Sequence, residues 1–140
     1  MTRTSARAFV DTNVLVYAVD DADPSKRDRA RELLGHEPER LVVSTQVLAE
    51  FFVVTTRKIA RPLPKADAAE AVEQLSKLTV VGADAGLVRS AIATSLSARL
   101  SLWDALIIEA AHVAGCQLVF SEDLPAGAKI GATRIENPFA

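Results

Sequence analysis

Four acidic residues lie next to apolar runs, where an unpaired charge is rare in a folded protein. They are Asp11, Glu50, Asp104 and Asp123. No Lys, Arg, His or Cys occurs in the segments around them, which are residues 9–15, 44–51, 102–107 and 121–124. Carboxylates that meet within a few ångströms stay ionised only when a cation neutralises them. An all-oxygen set suits Mg²⁺ or Mn²⁺, which activates water and stabilises charge on a phosphoryl group.

Each acid also has a purely structural interpretation. Asp11 can cap the helix that follows it. Asp104 stands three residues after Ser101, which matches a capping box. Asp123 precedes Leu-Pro and suits a turn, and Glu50 can occupy the exposed face of an amphipathic helix. The four acids together are stronger evidence for a shared site than any one of them, because the structural interpretation requires four independent coincidences.

Short apolar strands alternate with helical patterns, which predicts a parallel sheet covered on both faces. The predicted strands are residues 8–10, 41–43, 79–81, 117–120 and a possible edge strand at 133–136. Five predicted helices are residues 12–19, 25–34, 45–59, 65–78 and 102–114. Another follows Asp84 and carries an apolar stripe from Leu87 to Leu96. Ser44, Asp84 and Ser101 are the predicted N-caps of the helices that follow them. Sites in such folds form at the carboxyl ends of the strands.

Two of the acids follow strands directly, and two lie near the starts of helices. Asp11 and Asp123 should therefore emerge at the same edge of the sheet. Glu50 lies less than two turns into its helix, and helical side chains tilt toward the N-terminus, so its carboxylate can point to that edge. Asp104 opens its own helix. The sequence thus predicts that the four carboxylates meet at one place.

Length and composition describe one globular domain spanning residues 1–140. The mean hydropathy of +0.18 and 24% charged residues exclude a disordered tail. Cys116 is the single cysteine, which excludes an intrachain disulfide and predicts a reducing, cytoplasmic compartment. No apolar run approaches the roughly 18 residues that span a bilayer, so no membrane partner is expected. The net charge of −2 means that any nucleic acid must bind a local basic patch.

The acidic segments resemble the motifs of a known family. Phe9–Leu15, Ser44–Phe51 and Leu102–Ile107 are similar to the first three motifs of PIN domains. Ser121–Leu124, followed by Gly127 and a terminal Asn-Pro-Phe, is similar to the pattern of VapC-type ribonuclease toxins of type II toxin–antitoxin systems. The resemblance runs from about residue 9 to residue 139.

This resemblance implies a three-layer α/β/α fold with a central, mostly parallel sheet and a Mg²⁺- or Mn²⁺-dependent endoribonuclease activity. The catalytic and metal-binding acids would be Asp11, Glu50, Asp104 and Asp123. The reaction would be hydrolysis of RNA by an attacking water, leaving a 5′-phosphate and a 3′-hydroxyl. A cognate antitoxin that inserts a segment into the groove, and a homodimer or higher homo-oligomer, are the implied protein partners.

Supporting roles follow from the same resemblance. Thr12 and Asn13 would orient Asp11 and nearby water, and Ser44 or Ser121 would support the metal shell. Either Glu122 or Asp123 can be the fourth acid, since adjacent side chains on extended backbone point to opposite sides. The Ser-x-acid pattern favours Asp123.

Basic residues that could bind RNA lie at and beyond the C-terminal end of the predicted helix that carries Glu50. The candidates are Arg57, Lys58, Arg61 and Lys65. An equally good interpretation is that these cations are solvent-exposed and interact favourably with the negative end of the helix dipole. Trp103 can stack on a base, although a core aromatic is the favoured expectation.

Two other functions compete with the nuclease. Asp11 after a strand suits a phosphohydrolase of the aspartyl-phosphate type, but that chemistry usually needs a second acid two residues on, and position 13 is Asn. A non-catalytic PIN-like binding module is the third possibility, and it does not explain four converging carboxylates.

Overall fold

A six-stranded sheet with the order β3-β2-β1-β4-β6-β5 organises the protein. The computed structural model describes residues 6–140, so residues 1–5 of the predicted domain lie outside the described part. The strands are β1 (Ala8–Val10), β2 (Leu41–Ser44), β3 (Thr79–Val81), β4 (Leu118–Phe120), β5 (Lys129–Ile130) and β6 (Thr133–Glu136). All pairings are parallel except that of β5 with β6.

Six helices flank the sheet in the described residues, with one 3₁₀ turn at Pro38–Arg40. They are α1 (Thr12–Tyr17), α2 (Pro24–Gly35), α3 (Thr45–Arg57), α4 (Lys65–Leu75), α5 (Ala85–Ala98) and α6 (Leu102–Val113). Helix α6 packs across β1, β2, β4 and β6, and α5 packs on α6. Helix α1 contacts α2 and α3, and α3 also contacts β2 and α4. The predicted α/β fold around a mostly parallel sheet is confirmed.

Strands β1 and β2 are buried along their whole length, as expected for parallel strands with both faces covered. The register pairs Val10 of β1 with Phe120 of β4. The residues that follow these two, Asp11 and Ser121, therefore stand side by side, and the amide of Asp11 donates to the Phe120 carbonyl at 3.0 Å. This edge of the sheet carries the candidate site.

The predicted helix caps form as expected. Ser44 Oγ accepts from the amide of Val47 at 3.2 Å, Asp84 Oδ1 accepts from that of Leu87 at 2.8 Å, and Ser101 Oγ accepts from that of Asp104 at 3.1 Å. Each bond satisfies one of the free amides in a first helical turn. The starts of α3, α5 and α6 are thereby fixed by local sequence.

Several helices end earlier than predicted. Helix α3 ends at Arg57 because the amides of Lys58 and Ile59 both turn back to the Val54 carbonyl. Helix α4 ends at Leu75, where the Ser76 hydroxyl bonds the Val72 carbonyl at 2.7 Å. Tertiary and capping contacts at helix C-termini, rather than apolar periodicity, set these boundaries.

The region before β6, where the sequence analysis places no strand, contains β5. Ile130 pairs with Thr133 across a two-residue connection that begins at Gly131, whose φ is +61°. Glycine adopts this left-handed conformation without strain, which permits the tight hairpin. The strand is only two residues long, too short to leave an alternating pattern in the sequence.

Helix α5 buries less of its apolar stripe than its periodicity predicts. Leu87 and Ala91 are buried, whereas Val88, Ile92 and Leu96 are exposed, the last by 78%.

Within residues 6–140, no single helix is long and apolar enough to cross a membrane. Helices α5 and α6 reach that length and apolar composition only when taken together, and a sharp bend separates them.

Candidate active site

Asp11 occupies the end of β1 and is 9% exposed. Its Oδ1 accepts from the Thr12 amide at 2.7 Å, and its Oδ2 accepts from Ser121 Oγ at 2.8 Å and from Asn13 Nδ2 at 3.3 Å. Burial raises the pKa of Asp11; the bonds from Ser121 and Thr12 oppose this rise, and the charges of Asp123 and Glu50 add to it. The side chain therefore caps α1, as the structural interpretation predicted, and also faces other carboxylates.

Ser121 fixes Asp11 from the neighbouring strand. The residue is fully buried, and besides donating to Asp11 its hydroxyl accepts from the amides of Asp123 and Leu124, each at 3.2 Å. One hydroxyl thus shapes the turn after β4 and holds the carboxylate at the end of β1. This contact exists because the parallel register aligns the two strand ends.

Asn13 links Asp11 to the turn after β4. Its Nδ2 donates to Asp11 Oδ2 at 3.3 Å and to Asp123 Oδ2 at 3.2 Å. Its Oδ1 accepts from the Glu122 amide at 3.1 Å. An amide is suited to this position, because its nitrogen can donate to two carboxylates while its oxygen accepts from the backbone.

Glu50 is held by two neighbours. Thr12 Oγ1 donates to its Oε2 at 3.1 Å, and Gln46 Nε2 donates to its Oε1 at 2.9 Å. Gln46 was not predicted as part of the site, although its i,i+4 spacing to Glu50 on α3 is a signal that could have identified it. These bonds orient the carboxylate without neutralising its charge.

Asp104 lies half-buried in the first turn of α6. Its amide bonds Ser101, but within residues 6–140 its carboxylate has no hydrogen-bond or ion-pair partner, so the reciprocal half of the capping box does not form. The capping interpretation explains the position of this residue and does not explain why its side chain is acidic.

A cleft of about 400 Å³ collects these side chains. Its acidic lining residues are Asp11, Asp20, Glu50, Asp104, Glu122 and Asp123. Asp20 is not among the site residues predicted from the sequence. Across residues 6–140, no three His, Cys, Asp or Glu side chains stand close enough together to share one ion. The four predicted carboxylates therefore line one cleft without forming such a group in the described part of the chain.

Glu122 differs from the other acids because its charge is neutralised. Lys26 of α2 forms an ion pair with it, and the Tyr17 hydroxyl donates to its Oε1 at 2.7 Å. Burial acts to raise the pKa of Glu122, but these two bonds outweigh it and the pKa is lowered. Within the described chain, Asp11, Glu50, Asp104 and Asp123 have no ion-pair partner of this kind.

A family model of the PIN domain matches residues 8–124, which include the whole first three motifs and the turn after β4. The chain belongs to the PIN domain family. Its fold resembles that of Mycobacterium tuberculosis VapC20, a toxin that cleaves the sarcin–ricin loop, with 22% identity, a TM-score of 0.68, and 83% of this chain and 89% of that chain covered.

Two further solved structures share the fold. A toxin–antitoxin complex from Klebsiella pneumoniae is 19% identical, with a TM-score of 0.71 over 94% of this chain and 97% of that chain. DNA-bound VapBC from Salmonella typhimurium is 20% identical, with a TM-score of 0.67 over 96% and 99%. A comparison with curated proteins found no match. The expected resemblance to PIN domains is confirmed.

Some predicted residues of this PIN domain lie away from the cleft. Ser44 is buried as the cap of α3 and does not line it. The predicted basic strip is exposed at the far end of α3 and beyond, outside the cleft: Arg57, Lys58, Arg61 and Lys65. The expectation that Trp103 belongs to the core is wrong, since its side chain is 63% exposed and lines the cleft.

Proposed function

We propose that this PIN domain is a Mg²⁺- or Mn²⁺-dependent endoribonuclease and the toxin of a type II toxin–antitoxin pair. The observation that carries the proposal is that Asp11, Glu50, Asp104 and Asp123 line one cleft with no cationic partner among residues 6–140. Such a charge cluster is unfavourable by itself, so it indicates a site built for a cation.

The donor set fits a hard divalent ion. All four side chains offer carboxylate oxygen, which is the ligand that Mg²⁺ and Mn²⁺ prefer. A bound cation would also relieve the mutual repulsion of carboxylates that line one cleft. When bound, the ion would supply charge for a phosphoryl group and lower the pKa of a water ligand.

Polar residues in and behind the cleft position these carboxylates. Ser121 and Asn13 hold Asp11 from two sides, and Thr12 and Gln46 hold Glu50. Hydrogen bonds of this kind fix the ligands of a metal site before the ion arrives. A site with its orientation fixed loses less entropy on binding both ion and RNA.

Cleavage of RNA by purified variants tests the proposal. Asp11→Asn and Asp104→Asn should abolish cleavage in Mg²⁺, because each removes a charge needed to hold the ion. Asp67→Asn is the matched control, since Asp67 is an exposed acid in the first turn of α4 and lies outside the cleft. Full cleavage by both cleft variants would refute the assignment.

Calorimetric titration with Mg²⁺ and Mn²⁺ separates the competing functions. The parent protein should bind either ion, and Asp11→Asn should bind more weakly. Absence of binding would support a non-catalytic module, and a phosphoryl group covalently attached to Asp11 would support the phosphohydrolase. End mapping of cleaved RNA should find 5′-phosphates and 3′-hydroxyls.

The partner proposal is supported by the described neighbours, two of which are toxin–antitoxin or VapBC assemblies. We propose a cytoplasmic protein that binds a cognate antitoxin and forms a homodimer. Co-expression with the protein of the neighbouring reading frame should give a stable complex and relieve toxicity. Recovery of the PIN domain alone, with growth unaffected in either case, would contradict this role.

A further inference from the structure

The lining of the cleft includes apolar side chains beside its acids. Trp103 and Ile107 are four residues apart on α6 and thus lie on one face of the helix. Val16 of α1 and Val54 of α3 complete this apolar lining. Because a nucleotide combines an anionic phosphate with an apolar base face, a cleft that holds a metal-bound phosphate at its acids and also has apolar lining can receive both parts.

Trp103 is the outermost member of this apolar lining. It is 63% exposed, whereas Ile107 and Val16 are buried behind the surface at 3% and 8% exposed. Among residues 6–140, its indole makes no ring contact, cation–π contact or hydrogen bond. Both the ring surface and the indole N–H are therefore available to a ligand.

The position of Trp103 distinguishes it from other exposed apolar residues. Leu96 and Val113 are exposed by 78% and 69%, but neither lines the cleft. Trp103 and Asp104 both line the cleft, so a base against the indole belongs to a strand that passes the proposed metal ligands. An aromatic ring can stack on any base, since every base has a π-face.

We propose that Trp103 is a substrate-binding residue that stacks on an unpaired base of single-stranded RNA next to the phosphate that is cut. The inference rests on the proposed nuclease function. The contact contributes affinity and places the strand, and it supplies no group to the reaction itself. Removing it should therefore raise KM with little change in kcat.

The chain contains one tryptophan, so fluorescence excited at a wavelength that tyrosine does not absorb reports on Trp103 alone. The Asp11→Asn protein, which keeps RNA intact, is titrated in Mg²⁺ with a short single-stranded oligoadenylate and with an abasic oligomer of equal length. We expect the oligoadenylate to quench the fluorescence and the abasic oligomer to leave it unchanged.

Binding of labelled oligoadenylate is then measured in variants that also carry Asp11→Asn. Trp103→Ala should weaken binding roughly 5- to 150-fold, the range for loss of one base–aromatic stack. Trp103→Phe should lose less, because it keeps a ring. Leu96→Ala is the matched control, an exposed apolar residue outside the cleft, and should bind like its parent.

The outcomes separate this inference from the nuclease proposal. If the parent protein cuts RNA and Trp103→Ala cuts it with the same KM, stacking is wrong and the nuclease stands. If oligoadenylate quenches Trp103 but no RNA is cut, stacking stands and the nuclease falls. No quenching by any RNA, or quenching only by a protein partner, overturns the stacking role.

Discussion

Replacing Ser121 by alanine tests whether one buried hydroxyl organises the candidate site. The hydroxyl donates to Asp11 Oδ2 at 2.8 Å and accepts from the amides of Asp123 and Leu124 at 3.2 Å. Ser121→Ala removes a single oxygen atom but takes a partner from four groups, the fourth being Asn13 Nδ2, which donates to the hydroxyl at 3.5 Å. Because the residue is fully buried, the cavity it leaves is small and closed to bulk water.

The expected loss of stability follows from these contacts. A hydrogen bond to a charged group contributes about 1.5–3 kcal/mol, and a buried amide left without a partner costs about 1–3 kcal/mol. Leu124 is buried, whereas Asp123 is exposed and its amide can turn to water. Ser121→Ala should therefore lower the free energy of unfolding by about 3 kcal/mol or somewhat more.

Ser44→Ala is the matched control. Ser44 is also a buried serine at the end of a strand, but its hydroxyl only caps α3 through the Val47 amide. Loss of such a cap typically costs about 1 kcal/mol. The two variants should thus differ by about 2 kcal/mol, which is about 1 M in the urea midpoint for a small domain.

The difference should depend on pH with a definite sign. The Ser121 hydroxyl favours ionised Asp11, so its loss raises further a pKa that is already above the ordinary value. The cost of Ser121→Ala is then largest above the folded-state pKa of Asp11. It shrinks as the pH falls through that pKa, because a protonated carboxyl does not need this donor.

Urea unfolding followed by circular dichroism, with a chelator present, measures all these quantities. Circular dichroism is preferable to fluorescence because Trp103 is exposed and reports weakly on the core. The reasoning is refuted if Ser121→Ala costs no more than Ser44→Ala at neutral pH. It is also refuted if its cost is the same at neutral and acid pH.

Three other changes have definite expected results. In the absence of metal at neutral pH, Asp11→Asn should unfold at a urea midpoint equal to or higher than that of the parent. The reason is that the raised pKa of Asp11 means that its ionised form destabilises the fold. A lower midpoint would contradict this. Glu122→Gln should lower the free energy of unfolding at neutral pH, and this difference from the parent should vanish as the pH falls through the lowered pKa of Glu122. Urea midpoints measured across pH check this, and a difference that does not change with pH would contradict it. Gly131→Ala should cost about 1–2 kcal/mol because φ there is +61°, whereas Gly35→Ala, in a helix with open space around it, should be neutral or stabilising in thermal melts.

Local sequence predicted the parts of the site that depend on adjacent residues. Asp11 follows β1, and the caps Ser44 and Ser101 start α3 and α6, because side-chain bonds to nearby amides are decided within a few residues. The burial of β1 was readable from its continuous apolar run. These signals sufficed to bring acids distant in sequence to one edge of the sheet.

Contacts between distant segments could not be predicted in the same way. Lys26 pairs with Glu122 across 96 positions, and nothing in the charged helix α2 marks which of its cations turns inward. The exposure of Leu96 was also missed, since periodicity gives the face of a helix but not how far the neighbouring helix covers it. Trp103 was assigned to the core on residue type alone, although its place beside Asp104 put it at the mouth of the cleft.

Glu122 and Asp123 follow Ser121 directly, and the alternation of side-chain directions along extended backbone does not decide which of them is the fourth acid. Their tertiary contacts distinguish them. Both Glu122 and Asp123 line the cleft, so opposite side-chain directions do not exclude either. Their partners differ: Lys26 forms an ion pair with Glu122, whereas within residues 6–140 the Asp123 carboxylate accepts from the uncharged amide of Asn13 and has no ion pair. A carboxylate without an ion-pair partner attracts a cation more strongly than one already paired. For the proposed metal site, this difference is an argument for Asp123 as the fourth ligand, and the contacts of Glu122 instead join α2 to the turn that carries Asp123.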